Sequence, residues 1–260
     1  MHLLQKKIAI DYPEALSQKK QSVKIKVKGC SFCDVAADKG FMGHLKDNSV
    51  AKQLKQLPEI ENSRKIPFEL INETPVIKLA GLIKTAVSLN IKLSQINLTL
   101  RADHIINNLE KFKTVLQTAK KQDIKILISS IGFESFANTI LNNLNKGIIV
   151  EANLDAVKKI RSLAYQFKDT LYYMRNHGAN HGFIHPTPWD SSETQKNSNA
   201  VIARYNLAHD ILPNHSTPLI IHHASALGEW ARQIESEQKI KFSRHGSTIG
   251  WWEIDGEVVI

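Results

Sequence analysis

The sequence has little cysteine, since only Cys30 and Cys33 occur among its 260 residues. Two thiols three positions apart cannot form the disulfide framework of a small secreted protein, and this spacing is more typical of a metal site or a redox dithiol. The sequence also lacks any apolar run near the roughly 18 residues of a membrane helix, and residues 1–7 lack the pattern of a secretory signal. We therefore expect a cytoplasmic protein with no membrane partner.

Acidic residues are fewer than basic residues. The sequence has 34 Lys and Arg and 25 Asp and Glu, which gives a formal net charge of +9 at pH 7. This excess favours polyanionic partners, such as nucleic acid or a phosphate-bearing cofactor, although lysines spread along a chain are also typical of solvated helix faces. Hydrophobic residues at 42% and charged residues at 23% exclude a wholly disordered or collagen-like chain. The composition predicts a folded globular protein.

Short apolar runs alternate along the chain with longer stretches whose apolar residues recur every three or four positions. Strands are predicted at 22–27, 66–71, 95–100, 124–129, 181–185 and 218–222, and helices at 79–89, 105–119, 135–145, 154–167, 195–208 and 224–234. Gly147 is placed to end one helix and Asn153 to cap the next. About six βαβ units predict an α/β fold with mainly parallel strands, either an open barrel or a doubly wound sheet.

No repeat, low-complexity tract or linker divides the chain. We predict a polar N-terminal lead at 1–21 and one barrel domain at 22–238. A C-terminal appendage at 239–260 is expected to pack on the barrel.

The residues that follow the predicted strands are those that an α/β fold places at its functional edge. The cysteines follow the first strand, Asn-Glu-Thr-Pro at 72–75 follows the second, and Gly-Phe-Glu-Ser at 132–135 follows the fourth and leads to Asn-Lys-Gly at 145–147. Together these segments resemble the radical S-adenosylmethionine (radical SAM) superfamily, with its cysteine loop, G-G-E-P-like segment and G-x-E-S helix ending in N-K-G. The resemblance runs over residues 23–194.

The resemblance implies a partial (β/α)6 TIM-like barrel that holds a [4Fe-4S] cluster and S-adenosyl-L-methionine. In that family the reduced cluster cleaves the sulfonium to a 5'-deoxyadenosyl radical, which abstracts hydrogen from the substrate. Cys30 and Cys33 are implied as metal ligands of the cluster. The residues implied for S-adenosylmethionine binding are Phe32, Asn72, Glu73, Thr74, Pro75, Glu134 and Ser135.

The cysteine motif is degenerate when it is compared with the family pattern C-x-x-x-C-x-x-C. The position four before Cys30 is Lys26, and the sequence has no third cysteine. A cluster would need a substitute ligand such as His44, Asp34, a cysteine of a partner chain or a free thiolate, since imidazole replaces thiolate in some clusters. The segment 72–75 also lacks both glycines of the family motif.

Four residues at or after the ends of predicted strands are candidates for substrate contact: His185, Trp189, Asp190 and His222. The substrate is expected to be a small molecule, a peptide or an RNA, and an active enzyme would need an electron donor such as flavodoxin or ferredoxin. The first hypothesis is thus a radical SAM enzyme. The alternative is a catalytically degenerate radical SAM-fold protein that binds a ligand or partner without a cluster, and the third is a barrel-type metal hydrolase.

Overall fold

The computed structural model describes residues 6–16, 21–34, 47–72, 74–213 and 216–259. Its strands are β1 (Lys6–Asp11), β2 (Ser22–Val27), β3 (Glu59–Ile60), β4 (Arg64–Lys65), β5 (Phe68–Leu70), β6 (Lys92–Leu93), β7 (Gln95–Arg101), β8 (Lys125–Glu134), β9 (Leu171–Tyr172), β10 (Gly182–Phe183), β11 (Ile221–His222), β12 (Phe242–His245), β13 (Thr248–Ile254) and β14 (Glu257–Val258). Its α-helices are α1 (Asp47–Gln56), α2 (Pro75–Ser88), α3 (Ala102–Asn107), α4 (Leu109–Lys121), α5 (Asn138–Asn143), α6 (Val150–Gln166), α7 (Ser192–Arg204) and α8 (Ala226–Gln238). None of these helices combines the length and the apolar character needed to cross a membrane.

The central sheet is parallel, with the strand order β10-β8-β7-β5, and β9 also pairs with β8. One further parallel bridge joins Ile184 to Thr217 beyond β10. Helix α2 connects β5 to β7, and α3 and α4 connect β7 to β8, as expected for βαβ units. The predicted α/β class with mainly parallel strands is confirmed, and the described residues form an open sheet rather than a closed barrel.

Strand β7 shows how the sequence gives this sheet two different faces. Ile96, Leu98 and Leu100 are buried, and they pack in the larger apolar core with helices α2, α4 and α6. Asn97 and Thr99 alternate with them, and successive side chains of a strand point to opposite faces. Along β7 the other face of the sheet is therefore polar.

Two predicted strands lie outside the parallel sheet. β2 occupies the predicted 22–27, but it pairs antiparallel with β1. β11 keeps only the last two residues of the predicted 218–222, and it pairs antiparallel with β13. The expectation that both belong to the parallel series is wrong, because an alternating pattern specifies which face is buried and not which strand is the neighbour.

A second apolar core joins the N-terminal hairpin to the C-terminal part of the chain. Trp189 and Trp230 lie there with ring centroids 5.5 Å apart. Both indole N–H groups donate to the carbonyl oxygen of Asp11, at 2.9 and 3.0 Å. Trp251 donates in the same way to the carbonyl oxygen of Leu219, at 2.8 Å. The tryptophans thus bury their rings and satisfy their polar groups at once.

Asn153 does not cap a helix, so that expectation is wrong. Helix α6 begins three residues earlier, and Asn153 lies fully buried in its first turn. There Nδ2 donates to the carbonyl oxygens of Phe133 and Ser135, at 3.0 Å each. The side chain thereby ties helix α6 to the end of β8 through two backbone carbonyl groups.

His181 is a buried histidine that links two segments of the larger core. Its Nδ1 accepts from the N–H of Ile131 at 3.0 Å, so the neutral ring donates through Nε2 to the carbonyl oxygen of Tyr173 at 2.7 Å. Burial lowers the pKa of His181 below its ordinary value of 6.5. The unfolded chain therefore takes up a proton below pH 6.5 that the folded chain does not accept.

We expect the contribution of His181 to the free energy of unfolding to be fully present above the pKa that this histidine has in the unfolded chain. The contribution should be lost as the pH falls toward the lower pKa that His181 has in the folded chain. Urea unfolding at about pH 7.5 and about pH 5.5 measures the fall in the free energy of unfolding. The variant His181→Gln should show a smaller fall, whereas the exposed His209→Gln should keep the wild-type fall. Equal falls in all three proteins would contradict this role of His181.

Candidate functional site

The cysteine turn, residues 30–33, docks on the loop that follows helix α5. The backbone N–H of Ser31 donates to the carbonyl oxygen of Leu144 at 2.8 Å. The amide of Asn145 donates to the carbonyl oxygen of Gly29, immediately before the turn. The Asn-Lys-Gly segment that the sequence singles out therefore positions the two thiols.

Arg101 ends strand β7 and connects this turn to the sheet. Its Nη1 lies 3.3 Å from the Sγ of Cys30, and its Nη2 donates to the carbonyl oxygen of Lys146 at 2.7 Å. Its Nε donates to Asp103 at 3.0 Å. Burial acts to lower the pKa of Arg101, but Asp103 and Cys30 outweigh burial and raise that pKa. A permanent positive charge thus lies beside the Cys30 sulfur.

A buried ion pair joins Glu134, at the end of β8, to Lys146. The Nζ of Lys146 lies 2.8 Å from Oε1 of Glu134, and the two side chains are 4% and 12% exposed. A Cβ atom at Gly132 would lie 2.4 Å from that Oε1, and one at Gly182 would lie 3.0 Å from Oε2. The two glycines therefore leave room for the carboxylate. Within the described part of the chain, Oε2 has no hydrogen-bond partner.

The segment that begins helix α2 forms a local turn. The Oδ1 of Asn72 accepts from the backbone N–H and from the hydroxyl of Thr74, at 2.8 and 3.3 Å. Pro75 is buried at the first helical position, where its missing N–H has no cost. Glu73 lies outside the described residues, as does His44.

His185 and Asp190 form a pair just beyond β10, at the same edge of the sheet. The Nδ1 of His185 lies 3.2 Å from Oδ2 of Asp190, and the side chains are 38% and 10% exposed. The same carboxylate oxygen accepts from the backbone N–H of Thr187 at 2.6 Å. The carboxylate holds the imidazole in one orientation, as in acid–base pairs of enzymes.

The other sequence candidates occupy structural positions. Phe32 is partly buried against the second core, and Trp189 is 3% exposed within it. The hydroxyl of Ser135, a buried residue, accepts from the N–H of Ala137 at 3.1 Å. His222 lies half-buried on β11, in the antiparallel sheet. The structure thus brings together Cys30 and the Glu134 region through Arg101.

Sequence reasoning missed a polar cluster on the open face of the sheet. The hydroxyl of Thr99 donates to Oε1 of Glu69 at 2.6 Å, and the hydroxyl of Ser129 lies 3.4 Å from the same oxygen. Thr99 lies between the buried Leu98 and Leu100 of a predicted strand, so the period-two pattern could have identified it. Arg101 carried a weaker signal, as the first residue after a predicted strand.

Comparison with known proteins shows which solved structures this architecture resembles. No family model and no curated protein matches the sequence. The chain is similar to the cobalamin-dependent S-adenosylmethionine radical enzyme OxsB with aqua-cobalamin and S-adenosylmethionine bound, at a TM-score of 0.55 and 16% identity over 85% of this chain and 36% of that chain. This chain shares the fold of that part of the enzyme. The predicted partial barrel is confirmed to that extent.

Two further structures of OxsB give the same relationship. The form with aqua-cobalamin alone has a TM-score of 0.55 at 15% identity, and the apo form has 0.52 at 14%. Each match covers 85% of this chain and 36% of the OxsB chain, so the chain spans little more than a third of OxsB.

The donors at the site do not fit the three-ligand cluster that the sequence resemblance implies. Cys30 and Cys33 are free thiols, both partly exposed. Across the described ranges, no group of three or more His, Cys, Asp or Glu side chains could hold a metal ion. Two thiols supply two ligands, and no other described donor joins them.

Proposed function

We propose that this chain uses the radical SAM fold to bind S-adenosylmethionine at the carboxyl edge of its parallel sheet, without completing a cluster from the residues described. The carboxylate of Glu134 carries the proposal. One of its oxygens is held by Lys146, and the other faces the space left by Gly182 without a partner in the described chain.

The chemistry of S-adenosylmethionine matches such a carboxylate. The ligand offers an ammonium group and two ribose hydroxyls as donors, and hydrogen bonds to an ionised carboxylate are about twice as strong as neutral ones. The bond from Lys146 fixes the plane of the carboxylate before a ligand arrives. Glu134 also has a φ of +63°, an uncommon conformation for a residue with a side chain that is often found at functional sites. The OxsB structure that holds S-adenosylmethionine supports the choice of ligand.

Titration calorimetry with S-adenosylmethionine tests the proposal. Glu134→Gln keeps the size of the side chain and an acceptor for Lys146 but removes the charge, so we expect affinity to fall by about tenfold or more. Glu110→Gln, on the exposed surface of helix α4, is the matched control and should bind like the wild type.

Absence of saturable binding by the wild-type chain would overturn the proposal. Equal affinity of the wild type and Glu134→Gln, measured where urea unfolding shows both proteins to be folded, would remove Glu134 from the site. A fall in affinity confined to Glu134→Gln would support both the ligand and its contact.

A second candidate is the full radical SAM enzyme, favoured by the position of both thiols in one turn at this edge. Its third cluster ligand would come from outside the described residues. Anaerobic reconstitution with iron and sulfide, followed by metal counts and a visible spectrum with and without S-adenosylmethionine, tests it. Four irons per chain, lost in Cys33→Ala, would establish this candidate. Ligand binding without stable iron would favour the degenerate protein.

The metal hydrolase has less support. His185 and Asp190 lie together, but the described residues around them supply no third ligand. If the purified protein were colourless and contained stoichiometric zinc, the metal hydrolase would be supported instead. The small-molecule, peptide or RNA substrate and the flavodoxin or ferredoxin donor stay predictions.

A further inference from the structure

The two cysteines lie at the two ends of one β-turn. The N–H of Cys33 donates to the carbonyl oxygen of Cys30 at 3.2 Å, which closes the turn. Such a turn brings its first and last Cα atoms within about 7 Å, and disulfides usually span about 4.4–6.8 Å between Cα atoms. The backbone therefore already holds both residues at a separation that a disulfide can bridge.

The turn is fixed to the rest of the fold through its second residue. Ser31 is fully buried, and its hydroxyl donates to the carbonyl oxygen of Asn143 at 2.7 Å. Its own carbonyl oxygen accepts from the N–H of Leu227 at 2.9 Å, at the start of helix α8. Phe32 packs against the second core. Because the turn is ordered before any reaction, little conformational entropy is lost when the sulfurs join.

The thiols open into a cleft with an excess of positive charge. The cleft has a volume of about 300 Å³, and its charged lining residues are Lys26, Lys28, Glu229 and Arg232. Arg101 approaches Cys30 from the sheet side, 3.3 Å from its sulfur. A basic cleft raises the local concentration of anions.

From this arrangement we propose that Cys30 and Cys33 are a thiol–disulfide exchange pair that reacts with an anionic small-molecule disulfide. The thiolate of Cys30 attacks one sulfur of the disulfide, whose S–S bond breaks, and the departing thiolate takes up a proton. Cys33 then loses its proton and attacks the Cys30 sulfur, which releases the second thiol. The chain loses two protons and two electrons, and these reduce the small-molecule disulfide to two thiols.

Cys30 is the attacking residue, because the guanidinium of Arg101 lies beside its sulfur, whereas no cationic group of the described residues forms a hydrogen bond with the sulfur of Cys33. Among the described residues that line the cleft, three are cationic and one, Glu229, carries a carboxylate. An anionic disulfide should therefore react faster than a neutral disulfide of similar reactivity. The pair needs no third ligand, which agrees with a donor set that does not fit a cluster.

The test uses the whole chain, treated with a chelator and reduced, then exposed to oxidised glutathione. Mass spectrometry of the alkylated protein should show the loss of two hydrogens and no free thiol. Cys33→Ser should stop at a mixed disulfide on Cys30, and Cys30→Ser should react several-fold more slowly. Arg101→Gln should slow the wild-type reaction several-fold, while Arg204→Gln, an exposed arginine on helix α7, should not.

The variants Lys26→Gln and Lys28→Gln test whether these lysines attract the anionic disulfide or change the reactivity of the thiols. They should slow the reaction with oxidised glutathione but not with the neutral hydroxyethyl disulfide. Two alkylated thiols in the folded wild type after glutathione treatment would overturn the proposal. Equal rates in Arg101→Gln and the wild type would overturn the assignment of Cys30. S-adenosylmethionine affinity is measured separately, so either proposal can fail without the other.

Discussion

Replacement of Lys146 by methionine is expected to lower the free energy of unfolding by about 3–5 kcal/mol. The substitution keeps the apolar stem but removes the ammonium 2.8 Å from Oε1 of Glu134, in a pair whose side chains are 4% and 12% exposed. The carboxylate would keep its desolvation cost and lose the attraction that offsets it. Urea unfolding at neutral pH measures the difference.

The matched control is Lys113→Met on helix α4. Lys113 lies 2.8 Å from Glu110, but these side chains are 33% and 81% exposed, so we expect a loss of only about 0.2–0.5 kcal/mol. Combining Lys146→Met with Glu134→Gln removes both charges and should recover part of the larger loss. If Lys146→Met cost no more than Lys113→Met, the ion pair would be solvated in solution, contrary to its burial here.

The sequence predicts those parts of the fold whose signal lies within one element. Buried residues alternate along β7, where Ile96, Leu98 and Leu100 face the helices, and the corresponding prediction for 95–100 is confirmed. The 154–167 prediction is confirmed as helix α6, which starts four residues earlier. Boundaries differ because a helix can begin without a side-chain cap, as α6 does after Ile149.

The candidate site also has one part that lies within a single sequence motif and another that depends on contacts between distant segments. Gly132, Glu134 and Lys146 lie within 15 consecutive positions of one motif, so the sequence could suggest that they act together. Cys30 and Arg101 are 71 positions apart, and they meet only because the cysteine turn docks on the loop after α5. Local periodicity carries no information about such docking, since it describes a face and not its partner.

The second core shows the same limit. Nothing near Asp11 in the sequence indicates that its carbonyl oxygen accepts from two indoles, those of Trp189 and Trp230, 178 and 219 positions away. The candidacy of Trp189 for substrate contact rests on its place after the end of a predicted strand. Burial of its large ring against Trp230 is the stronger driving force.

Arg161→Met is the second substitution with a large expected effect, a loss of about 3 kcal/mol in the free energy of unfolding. Arg161, on helix α6, donates to both oxygens of Asp210 at 2.7 Å each, and the Asp210 side chain is 4% exposed. The hydroxyl of Tyr173 donates to the same carboxylate at 2.8 Å. Burial and Asp210 raise the pKa of Tyr173, so this hydroxyl stays a donor but brings no positive charge.

The same helix supplies the control for this prediction. Lys159 pairs with Asp155 one turn away, and these side chains are 27% and 40% exposed, so Lys159→Met should cost only about 0.3–0.5 kcal/mol. Arg161→Lys should restore part of the loss, because an ammonium cannot match both carboxylate oxygens as a guanidinium does. Equal losses for Arg161→Met and Lys159→Met would mean that Asp210 is hydrated in solution. Arg161 also donates to the carbonyl oxygens of Tyr205 and Asn206. The double variant Arg161→Met, Asp210→Asn lacks both charges of the ion pair as well as these two hydrogen bonds. The difference between its free energy of unfolding and that of Arg161→Met therefore separates the cost of the unpaired Asp210 charge from the loss of those hydrogen bonds.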